Sequence, residues 1–185
     1  MLLIIKKETK VAKVVTFANV KGGSGKSTLC INMAAILVRA GYSVAIIDAD
    51  QQKCSQDWIT GTKDKLLSRV EIIEPVELKV AEDVEVDFLL IDTQGSLTKE
   101  MAQFLFQSSL IITPCRASRD DIVGQGWIEV FLKQSNQNIK KAPILTVLNG
   151  VNKRSSILSH VIEQLKEDGV QVAETCISQR VCFAE

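Results

Sequence analysis

Residues 13–41, KVVTFANVKGGSGKSTLCINMAAILVRAG, constrain the fold of this chain more than any other stretch. The stretch opens with an apolar, β-branched run at 13–19, the pattern of a buried strand. It closes with apolar residues at helical spacing over 27–41, stopped by Gly41. Between the two, Gly22, Gly23 and Gly25 let the backbone turn tightly and aim its N–H groups inward. Strand, glycine loop and helix start, in that order, make a cradle for an anion. Unpaired N–H groups and the positive end of a helix dipole converge there. The closing residues Gly25, Lys26 and Ser27 are those of the phosphate-binding signature G-x-x-x-x-G-K-[ST]. On this reading Gly22, Gly23, Ser24 and Gly25 line the cradle and Lys26 reaches the outer phosphates. The Ser27 hydroxyl ligates a magnesium ion, and Thr28 touches the inner phosphates. A second lysine, Lys21, precedes Lys26 by five positions, and a loop that holds one phosphate chain does not by itself require it.

The same alternation continues along the chain. Further strands are predicted at 43–48, 70–75, 86–92, 110–114, 144–149 and 170–175, with helices near 97–108, 120–135 and 155–168. Strands apolar on both faces and separated by helices imply an α/β fold, a mostly parallel, doubly wound sheet flanked by helices. With the glycine loop at its start, this is the pattern of a P-loop NTPase. The 185 residues fit a single domain over 1–185, with 1–10 as an N-terminal extension. Lys plus Arg and Asp plus Glu balance at 22 each, so any contact with nucleic acid must come from a local patch. The five cysteines are scattered and form no C-x-x-C pair, which suits reduced thiols better than a disulfide framework or a zinc site. The opening MLLIIKK is too short for a secretory signal, and no run approaches the ~20 apolar residues of a membrane span. These features describe a cytoplasmic protein with no stable membrane insertion.

Two acidic segments stand at predicted strand ends. VDFLLIDTQG is an apolar strand closed by Asp92, placed to hold a water on magnesium. AIIDADQQ ends a strand on Asp48, with Asp50 two residues on. Paired acids at a strand tip suit a metal-and-water site and equally suit ordinary turn chemistry.

Taken together, these segments resemble the ParA/MinD family of ATPases. KGGSGKS resembles that family's deviant Walker A box, DADQQ its switch I segment, and LLIDTQG its Walker B and switch II segment. ITPCRASRDD is similar to the segment that follows, with Pro114, Ser118 and Asp121 at matching places. VLNGVNKRS resembles the asparagine segment near the adenine, and ISQRVCFAE the closing portion of small ParA proteins that lack an N-terminal DNA-binding domain. The resemblance implies that ATP and Mg2+ are bound and that ATP plus water gives ADP plus phosphate, slowly until a partner completes the site. It implies a homodimer formed on ATP binding, in which Lys21 reaches the partner's phosphates. Asp50 would orient or activate the attacking water, Asp48 would support the magnesium shell, Asp92 would take the Walker B position, and Asn149 would bond adenine. It implies segregation of DNA, usually a plasmid, with a centromere-binding, ParB-like partner. Non-specific DNA would be bound, giving nucleoid association in the ATP state.

The sequence departs from the family in two places. Gln94 stands where proline is usual, and the chain ends at Glu185 where small relatives continue into a final helix. Candidate DNA-facing cations are Lys133, Lys140, Lys141, Lys153, Arg154 and Arg180. Two alternative readings are a nucleotide-gated adaptor that positions a protein cargo with little hydrolysis, and a MinD-like positioning ATPase. The second needs a basic amphipathic tail that ISQRVCFAE does not supply. The iron-protein branch needs paired cysteine ligands, and Cys115 stands alone. Trp58 and Trp127 fall in helical patterns and read as core or interface packing, and His160 carries no assigned role.

Overall fold

The structure is a computed structural model, which describes residues 11–75, 84–135, 142–152 and 155–179. The elements are β1 (Lys13–Phe17), α1 (Lys26–Arg39), β2 (Val44–Asp48), α2 (Cys54–Gly61), β3 (Glu71–Ile73), β4 (Phe88–Asp92), α3 (Lys99–Gln107), β5 (Leu110–Cys115), α4 (Arg119–Ser135), β6 (Ile144–Leu148) and α5 (Ser156–Glu167). The strands form one six-stranded sheet in the order β3-β2-β4-β1-β5-β6, and every pairing is parallel. The predicted α/β, doubly wound architecture is therefore the observed one.

Strand alternation explains why both faces are covered. On one face Val15 and Phe17 of β1, Ile46 of β2 and Leu90 of β4 pack with Leu29, Ala34 and Val38 of α1. On the other face Val14, Ala45, Ile47, Leu89 and Ile91 pack with Phe104 of α3. Ile111 of β5 meets Met101 and Leu105 of α3 and Ile128 and Leu132 of α4. Successive strand residues point to opposite faces, so a near-continuous apolar run is stable only when helices cover both. α5 closes the β6 end through Leu158, Val161 and Leu165 against Cys115 and Leu148.

Helix ends follow local chemistry. α1 stops at Gly41, whose φ of 90° is left-handed. Gly41 N donates to Val38 O and Tyr42 N to Leu37 O, the paired bonds of a Schellman cap. Thr98 caps α3 by accepting from Met101 N, and Ser155 caps α5 by accepting from Ile157 N.

One expectation needs correction. VQVAET at 170–175 is not a strand. It touches β6 through a single parallel bridge, Thr146 to Val172, flanked by the bonds Thr146 N to Gln171 O and Ala173 N to Thr146 O. Its apolar alternation packs Val170 and Val172 against the α5 cluster without extending the ladder. Trp58 and Trp127, expected in core or interface packing, are 51% and 53% exposed on this chain, which leaves the interface half of that expectation. The 1–10 extension, five of the six candidate DNA-facing cations and most of ISQRVCFAE lie outside the described residues. The sixth, Lys133, is exposed and pairs with Glu129 at 3.3 Å one helical turn away.

Candidate functional site

Because all six strands run the same way, their carboxyl ends share one edge of the sheet. After β1 the chain moves outward to β2 and β3, returns as β4 beside β1, and then builds β5 and β6 on the opposite side. Reversal of strand order beside β1 leaves a crevice at that edge, the usual place for a ligand in open parallel sheets. The glycine loop leaves β1 into this crevice. A cavity of about 750 Å³ lies there, walled by the loop and the start of α1. Asp50, Gln52, Cys54, Arg116, Asn149, Gly150, Ser178 and Gln179 complete its lining.

Side chains elsewhere in the chain hold the loop. Asn19 is buried; its Nδ2 donates to Pro114 O at 2.6 Å and its Oδ1 accepts from Lys21 N at 2.9 Å. Thr93 Oγ1 donates to Phe17 O at 2.8 Å, fastening the segment after β4 to the end of β1. Gly25 is the N-cap of α1 with φ 99°. A Cβ there would lie 2.1 Å from Asn149 Nδ2, so only glycine fits. Asn149 Nδ2 donates to Ser24 O at 2.9 Å, which makes this asparagine a buttress of the loop as well as part of the cavity wall. Gly95 lies against the loop backbone from the other side, where a Cβ would come within 2.8 Å of Gly22 N and 3.0 Å of Lys21 C. Gln94 sits half-buried beside it.

The two lysines part company. Lys26 is 7% exposed, and its Nζ donates to Lys21 O at 3.1 Å across the loop. Burial pushes its pKa down, opposed by the negative charges of Asp92 and Asp50. Lys21 lies outside the cavity lining, its side chain 40% exposed, with Nζ 3.9 Å from Asp121 Oδ2. Asp121 also accepts a short hydrogen bond from the Ser118 hydroxyl.

The acids also differ. Asp48 and Asp92 pair in register across β2 and β4, and both are fully buried. Asp48 Oδ2 accepts from Ser55 N at 2.9 Å, Ser55 Oγ at 2.7 Å and Gln56 N at 3.0 Å, while Oδ1 accepts from Asp50 N at 3.0 Å. It thus caps α2 from a distance, and it is not among the residues that line the cavity. Among the described residues neither oxygen of Asp92 has a hydrogen-bond partner. Burial raises its pKa to about 6 and the Asp48 charge adds to the rise; the Ser27 and Ser55 hydroxyls stand near enough to oppose it without closing a bond of standard geometry. Asp50 is half-buried on the cavity wall, its Oδ1 accepting from Gln52 N at 3.0 Å. Ser27 and Thr28 line the cavity at the first turn of α1.

This donor set fits a magnesium ion of the kind that keeps waters and binds through phosphate. Asp92, a buried carboxylate, stands beside the hydroxyl of Ser27, which lines the anion cavity. Among the described residues no group of three His, Cys, Asp or Glu side chains could hold a metal unaided. Sequence reasoning overlooked Asn19, Thr93, Gly95 and Arg116. The Arg116 guanidinium donates a short hydrogen bond to Gly23 O. Thr93, Gly95 and Arg116 lie in segments the sequence singled out, but their roles went unread because each of the four acts on a loop or strand end through contacts that only the fold creates.

Comparisons with known proteins agree with this geometry. Residues 15–185 match the model of the CobQ/CobB/MinD/ParA nucleotide binding domain. The maintenance of carboxysome distribution protein A of Halothiobacillus neapolitanus is 26% identical over 179 residues, covering 93% of this chain and 82% of that protein. Protein ParA of Rhizobium radiobacter is 22% identical over 179 residues, covering 92% and 80%. Among solved structures, a Borrelia burgdorferi protein described as a putative plasmid partition protein and bound to AMPPNP superposes with a TM-score of 0.75. It is 20% identical, with 94% of this chain and 90% of that chain covered.

Proposed function

The chain belongs to the CobQ/CobB/MinD/ParA nucleotide-binding domain family, and from that premise we propose that it hydrolyses ATP as a nucleotide-sandwich dimer to segregate DNA. The observation that carries this reading is the separation of the two loop lysines. Lys26 lines its own cavity and Lys21 does not. A half-exposed cation beside a phosphate loop, outside its own pocket, supports a role on the phosphates of a second copy. A cation supplied in trans stabilises charge that develops on the transferred phosphoryl group and ties turnover to dimer formation.

Within one copy, the loop N–H groups and Lys26 bind and orient the phosphates. Asp50, on the cavity wall, takes the water-positioning role. Asp92 and Ser27 would hold Mg2+, which when bound neutralises phosphate charge and fixes phosphate geometry. Asp48 supports this arrangement by holding the start of α2, and with it the 49–56 segment that carries Asp50. Asn149 borders the nucleotide at the far end, beside Gly150, Ser178 and Gln179.

The test is the rate of ATP hydrolysis against protein concentration, with oligomeric state measured alongside, for the wild type and for Lys21→Ala. The variant is expected to bind ATP yet stay monomeric and lose turnover. Normal turnover by a monomeric variant would end the sandwich reading. DNA added with a centromere-binding partner is expected to accelerate the wild type.

The carboxysome-distribution relative favours a second reading, in which the same cycle positions a protein cargo. The two readings separate on the stimulus. A DNA-bound centromere protein accelerates hydrolysis in the first; in the second, only a cargo-bound adaptor does so.

A further inference from the structure

The site holds a third cation that the reading above leaves unused. Arg116 follows β5 directly and its side chain is exposed. Its guanidinium reaches across to the loop after β1, donating to Gly23 O. The same group lies 3.8 Å from where a Cβ on Gly23 would sit and lines the cavity with Lys26 and Asn149. Its root is rigid: Cys115 before it is fully buried, and Ser118 N donates to Arg116 O at 2.8 Å in a tight turn.

Other basic side chains near the site have acids to meet. Lys21 stands near Asp121 and Lys53 near Glu74. Among the described residues no carboxylate lies within ion-pair distance of Arg116. A guanidinium presents five N–H donors in a fixed fork, and the Gly23 carbonyl takes one edge of it. The remaining donors stand at the wall of an anion cavity with no carboxylate among the described residues paired to them. Gly23 lies two residues before the N-cap of α1, toward the tip of the loop. The N–H groups at the helix start cradle the inner phosphates, so the tip is the outer end of the cradle.

We propose that Arg116 is a ligand of the terminal phosphate of the bound nucleoside triphosphate, supplied by the same copy that supplies the loop, and that it sets preference for triphosphate over diphosphate. The inference rests on the phosphate-loop reading. It adds a cis cation on the β5 side of the loop, distinct from Lys26 beneath it and from Lys21 outside it. A forked donor on the outer phosphate also links the state of the nucleotide to the 116–121 turn, where Asp121 meets Lys21.

The test measures equilibrium affinity of the full chain for a non-hydrolysable ATP analogue and for ADP, each with Mg2+, in the wild type, Arg116→Ala and Arg116→Lys. Arg116→Ala is expected to weaken the triphosphate by about 10-fold or more and ADP by less than about 3-fold. Arg116→Lys should recover part of the triphosphate affinity, since it keeps the charge and loses the fork. If both nucleotides weaken alike in Arg116→Ala, the residue only shapes the loop and the proposal is wrong. Unchanged affinity for both overturns it equally. In either case wild-type binding leaves the phosphate-loop reading standing; a wild type that binds neither nucleotide removes both.

Discussion

Asp48 and Asp92 end neighbouring parallel strands, face each other in register and are both fully buried, yet their surroundings are opposite. The end of β2 turns back on itself, so four donors from residues 50–56 close on Asp48. The end of β4 leads into the 93–97 segment, which leans on β1 and the glycine loop and sends no donor to Asp92. One carboxylate has both oxygens engaged by its own fold, and the other is left for a ligand to engage. A buried polar group without partners costs free energy, and a site that tolerates such a group is a site prepared for something else.

This contrast can be broken or sharpened by experiment. The largest effect is expected from Asp48→Ala, which strands four donors: it should lower stability by about 4 kcal/mol and Tm by roughly 10 °C. Thermal unfolding of the ligand-free protein measures it, and a change below about 1 kcal/mol would deny Asp48 its capping role. Asp92→Asn should act in the reverse sense. Removing a buried charge whose desolvation the nearby Ser27 and Ser55 hydroxyls and Lys26 offset only in part is expected to raise ligand-free stability at about pH 7.5 by about 2 kcal/mol. The same variant should lose Mg2+-dependent ATP hydrolysis, so stability and activity would move in opposite directions.

The pH dependence follows from the same group. The folded-state pKa of Asp92 is raised to about 6, above the ordinary carboxylate value of 3.8. Between those values the folded chain holds a proton that the unfolded chain has released. The Asp92 contribution to stability is therefore least above about pH 6 and grows as pH falls toward about 4. Relative to Asp92→Asn, the wild type should gain about 1 kcal/mol between about pH 8 and about pH 5 in denaturant titrations. Identical pH profiles for the two proteins would show that Asp92 is solvated. The smallest effect belongs to the far wall. Asn149→Ala removes one bond to Ser24 O and should cost about 1 kcal/mol of ligand-free stability. A larger cost in nucleotide affinity than in stability would show that Asn149 acts on the ligand directly.

Much of the fold was legible in the chain. Apolar runs at β1, β2, β4, β5 and β6 were visible because strands buried on both faces need unbroken apolar sequence. Helices α1, α3, α4 and α5 showed their 3.6-residue period. VQVAET carried the same apolar signal and still made only one bridge, since pattern reports burial and not ladder length. α2 had weaker local support: its N-cap residue, Lys53, has φ 50° and makes no side-chain cap bond. The donors at its start, Ser55 N and Gln56 N, are met instead by Asp48, which belongs to the end of β2 and not to the cap position.

The site was legible in part. The loop, Lys26, Ser27, Asp50 and Asp92 meet at one cavity or against it, as the spacing implied. Asp48 and Asn149 fall beside it in positions where each also supports backbone.

The order of strand, glycine loop and helix, the apolar strands and the two lysines are properties of consecutive residues, and the sequence alone determined them. Local sterics and side-chain period act over a few positions and need no distant partner. Which buried acid is satisfied, which lysine enters the cavity, and that Arg116 meets Gly23 were decided only by the tertiary structure. Those outcomes depend on which donors and charges are brought within a few ångströms from 93 residues away, as with Arg116 and Gly23, and no local pattern encodes that distance.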